Sequence, residues 1–195
     1  MIVYYLPMRK VILGFGMTLD GYIARPDHSF DYLVLDKDSE KVMTKFFATI
    51  DTTIMGRKTA AVTAKMQAKA DMPEMPEMPG IRNYVFSRRW KPGERKGFTV
   101  VNEPLPAFVR KLRKRPGKHI YLGGGGELAR SFLKDDLVDE LFLGIVPILL
   151  GAGIPAFPSG FPQRDFKLTE CKSYGSGVAL RYERVRKPKK HANRQ

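Results

Sequence analysis

The chain has 195 residues, 43% of them hydrophobic, a formal net charge of +14 and one cysteine. That length suits a single domain whose core needs no covalent staples, and a lone Cys171 excludes an internal disulfide and fits a reducing cytoplasm. His28, His119 and His191 are scattered with no second cysteine beside them, so no metal site is expected. The first apolar run is shorter than the roughly 7–15 residues of a signal-peptide core, and none nears the ~20 residues of a membrane span, so a soluble cytoplasmic protein without a membrane partner is expected.

In chain order, residues 11–17 read as a buried strand, and Thr18-Leu19-Asp20-Gly21-Tyr22-Ile23-Ala24 turns away from it. Residues 25–36 read as a loop with Pro26-Asp27-His28-Ser29 at its tip. Asp38 or Ser39 is expected to cap a helix that buries Val42, Met43, Phe46, Phe47 and Ile50 at helical spacing. Residues 52–55 form a short β-branched strand that runs into Gly56-Arg57-Lys58-Thr59. Residues 72–79 repeat proline at three-residue spacing, which excludes helix and central strand and reads as an exposed extended loop.

Residues 83–87 and 98–101 are the next strands, the first ending in Ser87-Arg88-Arg89. A helix starts at Pro106, with Leu105, Phe108, Val109 and Leu112 as its apolar stripe, and Pro116-Gly117 stops it. Residues 119–122 are a strand that meets Gly123-Gly124-Gly125-Gly126, after which Glu127-Leu128-Ala129 opens a helix. Residues 141–149 form a long apolar strand broken at Gly151-Ala152-Gly153, and residues 167–173 and 178–185 form a closing hairpin. Strands separated by helices, then a terminal hairpin, give an α/β sheet with antiparallel additions. Cys171 reads as a packing residue, having no histidine beside it in sequence.

The excess charge sits mainly in two segments without acids: residues 105–118, with six basic residues, and 186–195, with five. The first reads as the outer face of a helix and the second as a polar tail. No aromatic residues interleave with them as a base-stacking platform requires, so no dedicated nucleic-acid partner is expected.

Three strand ends carry complementary chemistry. The glycine run lets a ligand approach the backbone closely and its N–H groups can hold phosphate oxygens. It is neither a Gly-x-Gly-x-x-Gly fingerprint nor a P-loop. Gly56-Arg57-Lys58-Thr59 and Ser87-Arg88-Arg89 add donors and positive charge where α/β sheets bind ligands. Together they read as one site for a phosphorylated dinucleotide.

With these motifs the chain resembles the dihydrofolate reductase superfamily, and more closely the reductase domain of bacterial riboflavin biosynthesis. Met55-Gly56-Arg57-Lys58-Thr59, Ser87-Arg88-Arg89 and Gly124-Gly125-Gly126 carry the resemblance, with Leu19-Asp20-Gly21-Tyr22-Ile23-Ala24 and Val146-Pro147-Ile148-Leu149-Leu150-Gly151-Ala152-Gly153. The resemblance implies a dihydrofolate-reductase-like three-layer α/β fold, with a mostly parallel sheet of about eight strands over residues 9–185. Residues 1–8 are then an extension and 186–195 a basic tail. It implies NADPH as hydride donor: Gly56, Arg57, Lys58 and Thr59 on phosphate, Ser87 and Arg88 (or Arg89) on the 2′-phosphate, Gly123 to Gly126 with Glu127 and Leu128 at the pyrophosphate, and Gly16 and Ile23 at the nicotinamide. It also implies a cis Gly124-Gly125 bond and a homodimer, the latter backed by the apolar character of residues 141–149 and of Val178, Leu180 and Tyr182.

Dihydrofolate reductases carry a Trp, a Pro and an acid on the way into their first long helix. Here Ser29-Phe30-Asp31-Tyr32-Leu33 occupies that stretch and the sole tryptophan, Trp90, lies elsewhere, so the substrate is expected to be a small heterocycle or a ribosylaminopyrimidine. Asp20 and Asp31 are the candidate proton donors, with Asp20 equally readable as a turn residue. A catalytically silent nucleotide- or polyanion-binding protein on the same fold is the alternative.

Overall fold

The computed structural model describes residues 8–33, 36–67 and 80–186. Among these, nine strands form one sheet in the order β10-β11-β8-β1-β7-β3-β4-β6-β5. Six neighbours are parallel: β8 (Glu140–Val146), β1 (Val11–Thr18), β7 (His119–Leu122), β3 (Ile50–Gly56), β4 (Arg82–Phe86) and β6 (Phe98–Val101). The hairpin of β10 (Phe166–Tyr174) and β11 (Gly177–Arg184) closes one side antiparallel, and β5 (Gly93–Arg95) the other. A separate pair joins β2 (Tyr22–Ala24) to β9 (Ile154–Pro155).

The period-two alternation of β1 divides the core. Val11, Leu13 and Phe15 enter one cluster with Phe108, Val109 and Leu112 of α3 (Leu105–Arg113) and Ala129, Phe132 and Leu133 of α4 (Gly126–Lys134). Ile12 points to the opposite face, where Phe46 of α1 (Lys37–Phe47) packs with Ile50. Helices thus cover both faces, as a buried parallel sheet requires. No helix among the described residues is long and apolar enough to cross a membrane.

Several expectations shift. The cap of α1 is Asp36, whose carboxylate accepts the Ser39 N–H at 2.7 Å, because the helix begins two to three residues earlier than Asp38 or Ser39 as cap would allow. Ile50 belongs to β3 rather than to that helix. Cys171 is exposed, because β10 is the sheet edge. The apolar strand β8 ends at Val146 and lies between β1 and β11, while Leu180 and Tyr182 pack onto the chain's own core. The apolar strand and two of the three hairpin side chains cited for a dimer are therefore covered within one chain, while Val178 is half-buried outside that core. The proline repeat at 72–79 lies outside the described residues, as does the tail beyond Arg186.

Arg186 itself is engaged: it donates to Asp139 Oδ1 at 2.9 Å and to the Val138 carbonyl at 3.2 Å. Its side chain is 42% exposed, so solvent weakens these bonds, and Arg186→Ala should lower stability by about 1 kcal/mol in urea unfolding.

Candidate functional site

The connections leaving β7 and β3 run in opposite directions. From β7 the chain passes through α4 to β8, and from β3 through α2 (Arg57–Gln67) to β4 on the other side. Adjacent strands whose connections diverge open a crevice at their carboxyl ends. Gly56 N–H donates to the Gly124 carbonyl at 3.2 Å and Gly123 N–H to the Ile54 carbonyl at 3.0 Å, so the glycine run is sewn to the end of β3. Two helices begin here, α2 at Arg57 and α4 at Gly126. The first turn of α2 contains no acid, and no side chain caps α4 at Gly125. Helix N-termini present N–H groups and partial positive charge, which favour an anion, and the one acid in these two first turns, Glu127 of α4, is paired with Arg130.

The four glycines have different reasons. The Gly124-Gly125 bond is cis, and Gly124 sits at φ +98°, a backbone that side-chain-bearing residues rarely adopt. Gly125 has φ −75°, which suits any residue, so it is Gly124 and not Gly125 whose own conformation favours glycine. What a Cβ at Gly125 would meet is Thr59 Oγ1 on α2, at 3.2 Å, in the groove between the two helix starts. A Cβ at Gly126 would stand 2.8 Å from Pro158 Cγ, and one at Gly123 2.8 Å from Tyr121 Cε1, so those two serve packing. Gly124→Ala should accordingly cost about 1–3 kcal/mol of stability, and Gly125→Ala clearly less, in paired denaturant titrations.

One strand further out, Ser87 is buried and its Oγ accepts from the N–H groups of Arg89 (3.1 Å) and Trp90 (2.9 Å), while its own N–H donates to the Val101 carbonyl at 3.0 Å. That tie holds the 87–90 turn and leaves the Arg88 and Arg89 side chains exposed over the crevice. Trp90 stacks on Phe98 with centroids 6.0 Å apart, and Arg95 lies over the indole at 5.5 Å. All these strand ends open into one cleft of about 1960 Å³ that takes in Gly16, Ile23, Gly56 to Thr59, Ser87 to Arg89 and Gly123 to Leu128. Within it Leu128 donates to the Gly125 carbonyl, and Glu127 is ion-paired to Arg130 on the exposed face of α4. The cleft is larger than the roughly 300–1,000 Å³ of a typical small-molecule site, which leaves room for a dinucleotide and a second ligand.

The chain matches the RibD C-terminal domain family over residues 9–180. It belongs to that family. Two uncharacterized Bacillus subtilis (strain 168) proteins are each 32% identical over 178 residues. For YwjB the match covers 91% of this chain and 99% of the relative, and for YyaP 89% and 93%. A putative riboflavin biosynthesis protein from Shewanella sp. PV-4 superposes with a TM-score of 0.77 at 24% identity, over 91% of this chain and 99% of the other. The Thermotoga maritima deaminase/5-amino-6-(5-phosphoribosylamino)uracil reductase superposes at 0.67 and 18% identity, and this chain spans only 57% of its length. The dihydrofolate-reductase-like α/β fold is thus the one this RibD C-terminal domain shares with its neighbours.

Neither candidate acid of this RibD C-terminal domain lines the cleft. Asp20 accepts from the Thr18 hydroxyl and from the N–H groups of Leu150 (2.9 Å) and Gly151 (2.7 Å). The Thr18 bond, backed by those amides, holds its carboxyl below the usual range. Its contacts are those of a carboxylate that ties two loops together. Asp31 is paired with Arg25 at 2.8 Å, which lowers its carboxyl likewise, and Arg25 also lies over the Tyr32 ring at 5.8 Å. His28, Leu33 and Tyr121, which no motif singles out, do line the cleft. His28 has φ +71° at the tip of a turn in which Asp27 Oδ1 accepts the Ser29 N–H at 2.9 Å. The Pro26-Asp27-His28-Ser29 turn was the one sequence signal pointing there.

Proposed function

We propose that this protein is an NADPH-dependent reductase that delivers a hydride to a small heterocyclic or ribosylaminopyrimidine-type substrate. One observation carries the reading: two helix starts and the Ser87-Arg88-Arg89 turn meet at the crevice between diverging strands, on a RibD C-terminal domain. The donor set fits a dinucleotide with an extra phosphate. The amides at Arg57 to Thr59 and at Gly125 to Glu127 offer donors to a pyrophosphate. Arg88 and Arg89 offer planar forks to a monoester phosphate, for which guanidinium geometry is suited. When bound, the reduced nicotinamide supplies the hydride and its electron pair.

The chain's own residues bind, orient and exclude water. Gly16 and Ile23 lie where a carboxamide could meet backbone groups, and the absence of a Cβ at Gly125 keeps the groove beside Thr59 open. Gly125→Ala should weaken NADPH binding by more than its loss of stability explains.

The test is a titration of the purified protein with NADPH and NADH followed by Trp90 emission, then NADPH consumption with a panel of ribosylaminopyrimidines and pterins. Consumption with one panel member, and tighter binding of NADPH than NADH, is the expected result. Binding without consumption by any member would favour a silent nucleotide-binding protein, and no binding would defeat the reading.

A further inference from the structure

The cationic side chains that line the cleft follow β3 and β4 or lie on α4, which packs on the face of the sheet away from α1. Arg57 and Lys58 follow β3, Arg88 and Arg89 follow β4, and Arg130 and Lys134 lie along α4. The end over the close of β1 is built differently. Its floor is Gly14 and Gly16, which alternate with Phe15 and so face the α1 side of the sheet. A Cβ at Gly14 would lie 2.7 Å from Tyr121 Cε2, and one at Gly16 would lie 3.1 Å from Leu33 Cδ2. Tyr121 and Leu33 therefore press directly onto a floor without side chains, and Phe30 and His28 complete the lining from the loop after β2.

This end has no described lysine, arginine, aspartate or glutamate. Arg25, the nearest arginine in sequence, is spent on Asp31 and the Tyr32 ring and does not line the cleft. Tyr121 packs edge-on to Phe46 and Phe47 and donates to the Gly14 carbonyl at 3.3 Å; burial pushes its phenol up to about 12, so it is neutral. Strands are spaced by about 4.8 Å, so the ends of β3 and β4 lie two and three strands from β1, roughly 10 and 14 Å away. A phosphate held over Gly14 and Gly16, on the α1 face of β1, has no counter-charge among the described residues that line this end, and burying an unpaired charge is costly. With the glycines covered, the faces this end offers are those of Tyr121, Leu33 and Phe30, aromatic and apolar surfaces that suit a planar ring, with His28 as the polar group at its edge.

We propose that the substrate end of this cleft takes an uncharged, planar nitrogen heterocycle that carries no phosphate, with His28 hydrogen-bonding its polar edge. The proposal rests on the reductase reading, in which the cationic end is filled by the dinucleotide. It sets this chain apart from a reductase acting on a phosphoribosyl compound.

The experiment uses two matched pairs of fluorescent rings that differ by a phosphate: riboflavin with FMN, and neopterin with neopterin monophosphate. Each is titrated into the full chain, alone and saturated with NADP+. With NADP+ present, the unphosphorylated member of at least one pair should bind tenfold or more tightly than its phosphate. Leu33→Lys, or Phe30→Lys if the first variant does not fold, should shift that preference tenfold or more toward the phosphate. Equal or tighter binding of both phosphates to the NADP+-saturated protein would overturn the proposal, as would no binding by any of the four rings. A failure of the reductase reading shows up separately, as absence of NADPH binding in its own titration.

Discussion

Replacing Asp139 with alanine should destabilise the fold by about 3–5 kcal/mol, the range for breaking a buried charged pair from one side. Asp139 is 6% exposed and joins three elements where the parallel strands begin. Its Oδ2 accepts the Val11 N–H at 2.8 Å, at the head of β1, and pairs with Arg113 at the end of α3. Its Oδ1 takes Arg186 at 2.9 Å, beyond β11. Alanine would leave a buried backbone donor unpaired and strip the charge partner from Arg113, whose Nε already has no partner. In a chain of this size the loss translates into a melting point lower by roughly 6–20 °C. Asp139→Asn keeps an acceptor for Val11 and loses only the charge, so it should fall well short of the alanine variant. Similar urea midpoints for alanine and wild type would mean that the network contributes nothing net. NADPH affinity, measured well below the unfolding transition, should stay unchanged in both, because Asp139 lies where the parallel strands begin and the cleft opens at their carboxyl ends.

The strands that build the site are readable in the chain because each is short, rich in β-branched or aromatic residues, and has a distinct stop. Phe98–Val101 and His119–Leu122 match the sequence reading residue for residue, since both end where a polar or glycine residue follows at once. The glycine run is legible for the same reason, and so is its place between a strand and a helix. The reasons for the individual glycines are not legible. Gly126 answers to Pro158 and Gly123 to Tyr121, contacts that depend on where the chain returns in space. The lining of the β1 end is hidden in the same way. His28, Phe30 and Leu33 come from an irregular loop, where no periodicity marks which side chains turn inward. The candidate acids were drawn from type and proximity in sequence, and Asp20 reaches across 130 positions to Leu150 instead. The apolar stretch after residue 140 looked like an edge needing cover, because sequence gives a strand's composition and not its neighbours.

Arg88→Ala should weaken NADPH binding by about 1.5–3 kcal/mol, roughly 10- to 150-fold, and leave NADH binding nearly unchanged. The argument begins with Ser87. Its hydroxyl oxygen takes two backbone N–H groups and its own N–H reaches β6, so the turn that carries Arg88 is fixed before any ligand arrives. Arg88 is exposed and borders the cleft, with no ion pair to an acid among the described residues. A guanidinium in that position need not break a bond to hold a phosphate, and an arginine fork holds one with two parallel hydrogen bonds. NADH lacks the monoester phosphate, so the same truncation should cost it little. Because the contact is charge-assisted and near the surface, the preference for NADPH should also shrink as salt rises, with screening over about 8–10 Å at physiological ionic strength. Equal losses for the two cofactors would move the 2′-phosphate away from Arg88, and Arg89→Ala is then the variant to compare, since its side chain leaves the same turn. A loss confined to NADPH in Arg88→Ala, and absent from a distant control such as Arg110→Ala on the outer face of α3, would tie cofactor choice to the end of β4.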